Sequence, residues 1–160
     1  AYFDITQQNR ISDGVTPGGV EQVGAVVDGW ELQVNKRWQQ FETQVAYTNL
    51  NATNDGTGIR LPYVAEEQAS WWNRLYVGNN WRIGAGVRYV GDNVGSGGAP
   101  VVPSSTLYDA MVGYTLGEWD FSVDLKNATD EEYVSWCRYD GGDCGYGDRR
   151  SVTANVRYQF

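Results

Sequence analysis

The amino-acid sequence predicts an all-β protein, and three observations narrow that class to a transmembrane antiparallel up-and-down β-barrel of about eight strands. Eight stretches alternate apolar and polar residues, which is the period of a half-buried strand. The connections between these stretches are alternately short and long, so all the long loops fall at one end of the sheet. Tryptophan and tyrosine, present 7 and 11 times, collect near the ends of the stretches. Outer-membrane barrels combine these three features.

The predicted strands differ in how regular their alternation is. The first surrounds Phe3 and Ile5, and the stretch "ASWWNRLYV" is less regular than the others because Asn73 interrupts its apolar side. In "WRIGAGVRY", the residues from Trp81 to Tyr89 alternate without a break. The remaining stretches are "WELQV", "FETQVAYT", "YDAMVGY", "WDFSVDLK" and "SVTANVRYQF".

The lengths of the connections favour a membrane barrel. The short ones are "KRWQQ", "VGNNW" and "TLGEW". The long ones are "RISDGVTPGGVEQ", "NATNDGTGIRLPYVAEE", "GDNVGSGGAPVVPSS" and "NATDEEYVSWCRYDGGDCGYGDRR". A soluble β-sandwich seldom sorts its loops in this way, whereas a membrane barrel places its apolar face against lipid and its polar face in the lumen. The alternative from another class is a soluble, aromatic-rich β-sandwich that binds carbohydrate.

Composition excludes several functions. A net charge of −8 argues against nucleic acid as a partner, because phosphate binding needs a basic surface. The chain has no histidine, which removes the commonest general base, and we expect no catalytic residues, no metal site and no cofactor. Cys137 and Cys144 lie in "CRYDGGDC", where a local disulfide is favoured over a thiol metal site that lacks histidine partners. A disulfide implies an oxidising compartment.

Several motifs then occur in a familiar order. They are Asp109-Ala110, Asn127-Ala128-Thr129-Asp130 with Tyr133, the pair Cys137 and Cys144, Tyr146-Gly147 with Arg149, and Phe160. Together they resemble the C-terminal part of TonB-dependent siderophore receptors, most of all the ferrichrome, ferrioxamine and pyoverdine receptor branch. One departure is that Leu-Phe is usual in that family where Ala128-Thr129 stands here.

The resemblance implies the last eight strands of a 22-stranded barrel in the bacterial outer membrane. Residues 1–160 then form one barrel domain or fragment, and the plug domain and TonB-binding segment of the family are absent from it. Such a segment is not transport-competent alone and is not an enzyme. The alternative is a closed, stand-alone or engineered eight-stranded barrel with a structural role, since eight strands suffice to close a barrel.

The resemblance also implies partners and sites. In the full-length receptor the ligand is a ferric siderophore, and Trp136, Tyr139 and Tyr146 are candidates to contact it, with packing within the loop as the alternative. The other partners are outer-membrane lipid and the barrel assembly machinery, which reads a terminal strand that ends in an aromatic residue. The alternative for that strand is the edge strand of a truncated soluble domain. The predicted insertion signal is Val152, Ala154, Val156, Tyr158 and Phe160.

Overall fold

One large antiparallel sheet accounts for most of the computed structural model, which describes residues 1–13, 20–139 and 142–160. Eight strands form the sheet in the order β1-β2-β3-β4-β5-β8-β9-β12, while β6–β7 and β10–β11 form two-stranded ribbons in the long connections. The strands are β1 (Tyr2–Asp13), β2 (Val20–Arg37), β3 (Phe41–Asn54), β4 (Glu67–Val77), β5 (Trp81–Val90), β6 (Asn93–Val94), β7 (Val101–Val102), β8 (Ser105–Leu116), β9 (Trp119–Lys126), β10 (Val134–Arg138), β11 (Asp143–Tyr146) and β12 (Ser151–Tyr158).

The eight predicted strands are confirmed, but the first three are longer than predicted. Residues 10–13 and 20–22, predicted as loop, belong to β1 and β2, and residues 51–54 belong to β3. The rest of that first long loop, residues 14–19, lies outside the described part of the chain. The error arose because polar residues dominate these strand ends, so the alternation that marks a strand fades before its hydrogen bonds do. The last predicted strand is shorter, because β12 ends at Tyr158.

Apolar side chains align across the sheet on one side, which we call the outer face. Ile83 on β5 pairs with Val112 on β8, Val112 pairs with Val123 on β9, and Val123 pairs with Ala154 on β12. Ile83 is 49% exposed, and many other large apolar residues of this face are exposed as well. Burial in the described residues is confined to a few small clusters, such as Ala25, Ala52 and Leu61. A large apolar face that no other element covers is typical of a surface that contacts a membrane or a partner protein.

The single sheet also excludes the soluble alternative. A β-sandwich needs two sheets whose inner faces form a shared core about 10 Å thick. Within the described ranges, the only sheets besides the large one are the two short ribbons in the loops. The described residues therefore do not form the alternative fold, a soluble β-sandwich.

The sheet is open. Within the described residues, β1 pairs with β2 alone and β12 pairs with β9 alone. The closed eight-stranded barrel is thus not the structure that this chain adopts, and the sheet has the form of a partial barrel. Both edges carry backbone groups that need partner strands in a membrane, because lipid offers no hydrogen bonds.

Aromatic side chains pair on the outer face beside the three short turns. The ring centroids of Trp38 and Phe41 lie 5.7 Å apart next to the β2–β3 turn. Those of Trp81 and Tyr114 lie 4.6 Å apart. Such a row suits the interfacial girdle of a membrane barrel, where aromatic rings meet both lipid tails and water. In the part of the chain that the structure describes, there is no helix long and apolar enough to cross a bilayer.

The opposite face is polar, and its charges are paired across strands. Arg82 donates to Asp120 at 2.6 Å and Arg88 donates to Asp109 at 2.6 Å. Cross-strand pairs of opposite charge stabilise a sheet and leave its surface polar and solvated. This face therefore matches the predicted lumen side.

Candidate ligand-binding surface of the long connections

The last long connection, residues 127–150, is anchored by a buried asparagine. Asn127 is 2% exposed and has a positive φ of 49°. Its side-chain Nδ2 donates to the backbone oxygens of Glu131 at 2.8 Å and Asp148 at 3.0 Å, and its Oδ1 accepts from the Glu131 amide. Asparagine tolerates this backbone conformation and offers both a donor and an acceptor. One side chain thus holds both ends of the connection.

A second contact joins the two ends of this connection beside Asn127, and these two contacts are called the clamps below. Arg149 donates to the carboxylate of Asp130, and the backbone amide of Arg150 donates to the same group at 3.0 Å. These bonds, that of Arg149 first, hold the pKa of Asp130 well below its usual range. The motif Asn127–Asp130 therefore holds the two ends of the connection together, a structural role that the sequence alone did not reveal.

The two clamps support a disulfide-closed hairpin made of β10 and β11. Cys137 lies opposite Cys144, and their sulfurs are bonded at 2.00 Å, as the spacing predicted. Cys137 is 3% exposed, so the disulfide side of the hairpin faces inward. The backbone of Cys137 and Tyr139 is hydrogen-bonded to Ser96 in the β5–β8 connection, while the side chains of Trp136 and Arg138 are exposed.

Two of the three predicted ligand contacts come together around a charge that sequence reasoning missed. The Arg138 guanidinium lies 5.6 Å from the ring centroid of Trp136 and 5.6 Å from that of Tyr139. It donates to Asp143 at 2.6 Å, a bond that raises the pKa of Arg138. Trp136 is 38% exposed. This half-exposed group of two rings and one guanidinium, together with Asp143, is called the hairpin surface below.

The third candidate lies apart from this group. Tyr146 is at the end of β11, opposite Val134, and is 69% exposed. Its ring is therefore free to meet a ligand from the solvent but is not stacked with Arg138. Arg138 itself stands inside "CRYDGGDC" beside two aromatic residues, and that neighbourhood was the signal available in the sequence.

The predicted insertion signal lies on β12 and just beyond it. Val152, Val156 and Tyr158 point to the outer face, where their partners on β9 are Leu125, Phe121 and Trp119. Phe160 follows the strand by two residues, and its ring centroid is 6.3 Å from that of Tyr158. The alternation thus forms a continuous apolar stripe, while recognition by the assembly machinery stays a prediction.

The described ranges bring no three His, Cys, Asp or Glu side chains together as a metal site. The chemistry on this surface is that of aromatic rings, one guanidinium and hydrogen-bonding groups. Such a surface binds and orients a ligand through flat contacts and charge.

Known proteins similar to this chain share one architecture. Residues 1–128 match the family model described as TonB dependent receptor-like, beta-barrel. The chain is 30% identical over 176 residues to the ferrioxamine receptor of Yersinia enterocolitica, covering 100% of this chain and 24% of that receptor. It is also 30% identical over 179 residues to the catecholate siderophore receptor Fiu of Escherichia coli, covering 99% of this chain and 23% of the receptor.

Solved structures agree on the fold. The closed form of the ferric-catecholate import receptor Fiu of E. coli aligns with a TM-score of 0.78 at 24% identity, over 99% of this chain and 24% of that one. The pyoverdine receptor FpvA of Pseudomonas aeruginosa aligns with a TM-score of 0.78 at 20% identity, over 99% of this chain and 26% of that one. The chain spans about a quarter of the length of these proteins.

Proposed function

The chain belongs to the TonB dependent receptor-like beta-barrel family, and from that premise we propose that it forms the last eight strands of a bacterial outer-membrane receptor that takes up a ferric siderophore. Its relatives are transport receptors of the outer membrane, and this chain is a barrel segment of that kind. The observation that carries the proposal is the open sheet with an exposed apolar face and all long connections at one end.

The two open edges of the sheet imply that further strands of the receptor complete the barrel. Each unpaired backbone group in hydrocarbon costs several kcal/mol, so β1 and β12 need neighbouring strands on their free sides. Outer-membrane lipid then covers the outer face, and the polar face lines the lumen. Energy-driven passage of the ligand requires a plug and a TonB-binding segment, which in our proposal other parts of the receptor supply.

The hairpin surface is proposed as a siderophore contact. Trp136 offers a stiff, flat face that binds at small entropic cost, and Arg138 brings a delocalised charge that pairs with oxygen anions. Iron-loaded siderophores present both flat groups and oxygen ligands, so they suit this surface. Tyr146, which is more exposed, is proposed as a second contact further along the hairpin.

The terminal stripe is proposed as the signal for assembly. β12 carries apolar residues at every second position on its outer face, and Phe160 continues that pattern. A machinery that recognises barrel proteins by one strand, before that strand has paired on both sides, would find here an apolar stripe with an aromatic end.

The experiment uses the intact receptor that contains this chain, purified in detergent. Binding of iron-loaded ferrioxamine and of an iron-loaded catecholate siderophore is measured by tryptophan fluorescence or calorimetry. We expect Trp136→Ala to weaken binding of the cognate siderophore about tenfold, consistent with about 1–2 kcal/mol for a lost aromatic contact, while Trp136→Phe keeps most of it. Unchanged binding by a Trp136→Ala, Tyr146→Ala double variant would remove these residues from the ligand site.

A further inference from the structure

Three long connections meet at one buried residue, Ser96, which is 4% exposed. Ser96 lies in the connection between β5 and β8. Its amide donates to the backbone oxygen of Cys137 at 3.3 Å, and its backbone oxygen accepts from the Tyr139 amide at 2.8 Å. These two bonds form a parallel bridge to Arg138, so the backbone of Ser96 pairs with the edge of the β10–β11 hairpin at one residue.

The side chain of Ser96 reaches in the other direction. Its Oγ shares a short hydrogen bond with the hydroxyl of Tyr63, from the connection between β3 and β4. The Tyr63 amide donates to the backbone oxygen of Val94 at 2.8 Å. Arg60 of the same connection adds an ion pair to Asp92 at 3.2 Å. The β3–β4 connection is therefore tied to the β5–β8 connection at three points.

The residues on either side of Ser96 must be small for this junction to form. A Cβ at Gly95 would collide with the backbone oxygen of Cys137, and Gly97, with φ +63°, lies under the ring of Tyr139. Glycine permits both the close approach and the left-handed backbone. The segment Gly95-Ser96-Gly97 is thus shaped to receive the disulfide hairpin.

We infer that Ser96 is a positioning residue that fastens these three connections into one unit and thereby fixes where the hairpin surface stands over the sheet. The backbone of Ser96 holds the hairpin, and its Oγ transmits that position to Tyr63. A consequence for affinity rests on the proposed siderophore contact at Trp136, whereas the fastening itself does not.

The fastening is tested without ligand, by hydrogen exchange of the intact receptor in detergent. Ser96→Ala and Tyr63→Phe each remove the same hydrogen bond from opposite sides. We expect each to speed exchange of the Ser96 and Tyr139 amides about fivefold, the factor that corresponds to one typical net hydrogen bond. Because the bond is shared, the double variant should also give about fivefold instead of about 25-fold. Ser104→Ala, at an exposed serine of the same connection, should leave these amides at the parent rate.

Parent-like exchange at Tyr139 in both single variants would overturn the inference, as would fully multiplicative effects in the double variant. Affinity for the cognate iron-loaded siderophore is measured next, in the same preparations. A positioning role predicts that Ser96→Ala weakens binding about fivefold while the thermal unfolding of the barrel is unchanged, which a general loss of stability would not give. If Trp136→Ala binds like the parent while exchange at Tyr139 rises in Ser96→Ala, the siderophore contact fails and the fastening stands.

Discussion

Arg149 faces Asp130 across the two ends of the last long connection and donates to both oxygens of its carboxylate, at 3.1 and 2.8 Å. The two residues are 19 positions apart in sequence. Their pairing, with Asn127 beneath it, makes the 24-residue predicted loop start and finish at one place. The hairpin surface is therefore built on a fixed base, and the charge state of Asp130 bears directly on it.

Acid is expected to loosen this connection. The bonds from Arg149 and the Arg150 amide place the pKa of Asp130 below its ordinary value of 3.8, so the folded connection binds the proton more weakly than the unfolded one. The stabilisation is complete above that ordinary value and is lost as the pH falls through the lower folded pKa. Hydrogen exchange in residues 128–150, corrected for the intrinsic rate, should match its neutral-pH value down to about pH 5 and rise progressively as the pH falls below the ordinary value of 3.8.

Asp130→Asn should abolish most of that pH dependence and exchange faster than the parent at neutral pH. Asp148→Asn, at an exposed carboxylate in the same connection, is the matched control and should keep the parent's profile. An identical acid profile in Asp130→Asn and the parent would contradict the assignment to Asp130.

Sequence predicted the sheet well because the signal for it is local. Each strand repeats its own alternation, and Ile83, Val112 and Val123 fall into register once the short turns are placed. The disulfide was predictable for the same reason, since both cysteines stand in one short stretch. The outer-face aromatics beside the turns followed from the period and the turn positions.

The junction at Ser96 left no such signal. Its partners, Tyr63 and Tyr139, are 33 and 43 positions away, and serine between glycines reads as an ordinary loop. The role of the glycines in β5 could not be predicted from the sequence either. Gly84 and Gly86 put no side chain on the polar face, and the ring of Trp72 on β4 lies over both. Contacts between distant segments depend on the final register, which periodicity alone does not supply.

The outer face can be tested by burying a charge in it. Ala85 is exposed and pairs with Ala110 in the middle of the sheet. Ala85→Arg should cost about 2–4 kcal/mol of barrel stability in a bilayer, because the guanidinium would lie in hydrocarbon. Gln33→Arg, on the exposed polar side of β2, carries the same charge and should change stability little. Unfolding in urea from lipid vesicles measures both, and equal costs would mean that the two faces are not lipid and lumen.

The disulfide should order the hairpin more than it stabilises the barrel. In the loop-entropy account, closing a ring as short as Cys137–Cys144 contributes roughly 2–3 kcal/mol, all of it local to the connection. Alkylation of the unreduced receptor should leave the peptides that contain Cys137 and Cys144 unlabelled, and a Cys137→Ser, Cys144→Ser variant should exchange faster at Trp136 while its barrel unfolds like the parent. Labels on Cys137 and Cys144 in the unreduced protein would show that the two thiols are free.

Substitution of Phe160 can distinguish recognition by the assembly machinery from packing in the folded barrel. The residue lies beyond β12 and is fully exposed, and its ring centroid is 6.3 Å from that of Tyr158. Its contribution to the folded barrel is then at most the transfer of one Phe side chain into lipid, about 1.5–3 kcal/mol. A barrel of this size should survive that loss, so refolding in detergent should be close to normal for Phe160→Ala.

In cells the same substitution should sharply lower the amount of receptor in the outer membrane, because the assembly machinery would no longer read the end of the terminal stripe. Two measurements on Phe160→Ala are compared: outer-membrane level in cells, and heat-modifiable gel mobility after refolding. Phe160→Tyr keeps an aromatic ring and should behave like the parent in both. A normal level of Phe160→Ala in cells would make Phe160 a packing residue only. Failure in both settings would assign it a structural role in the barrel, since a recognition signal is not needed for refolding in detergent.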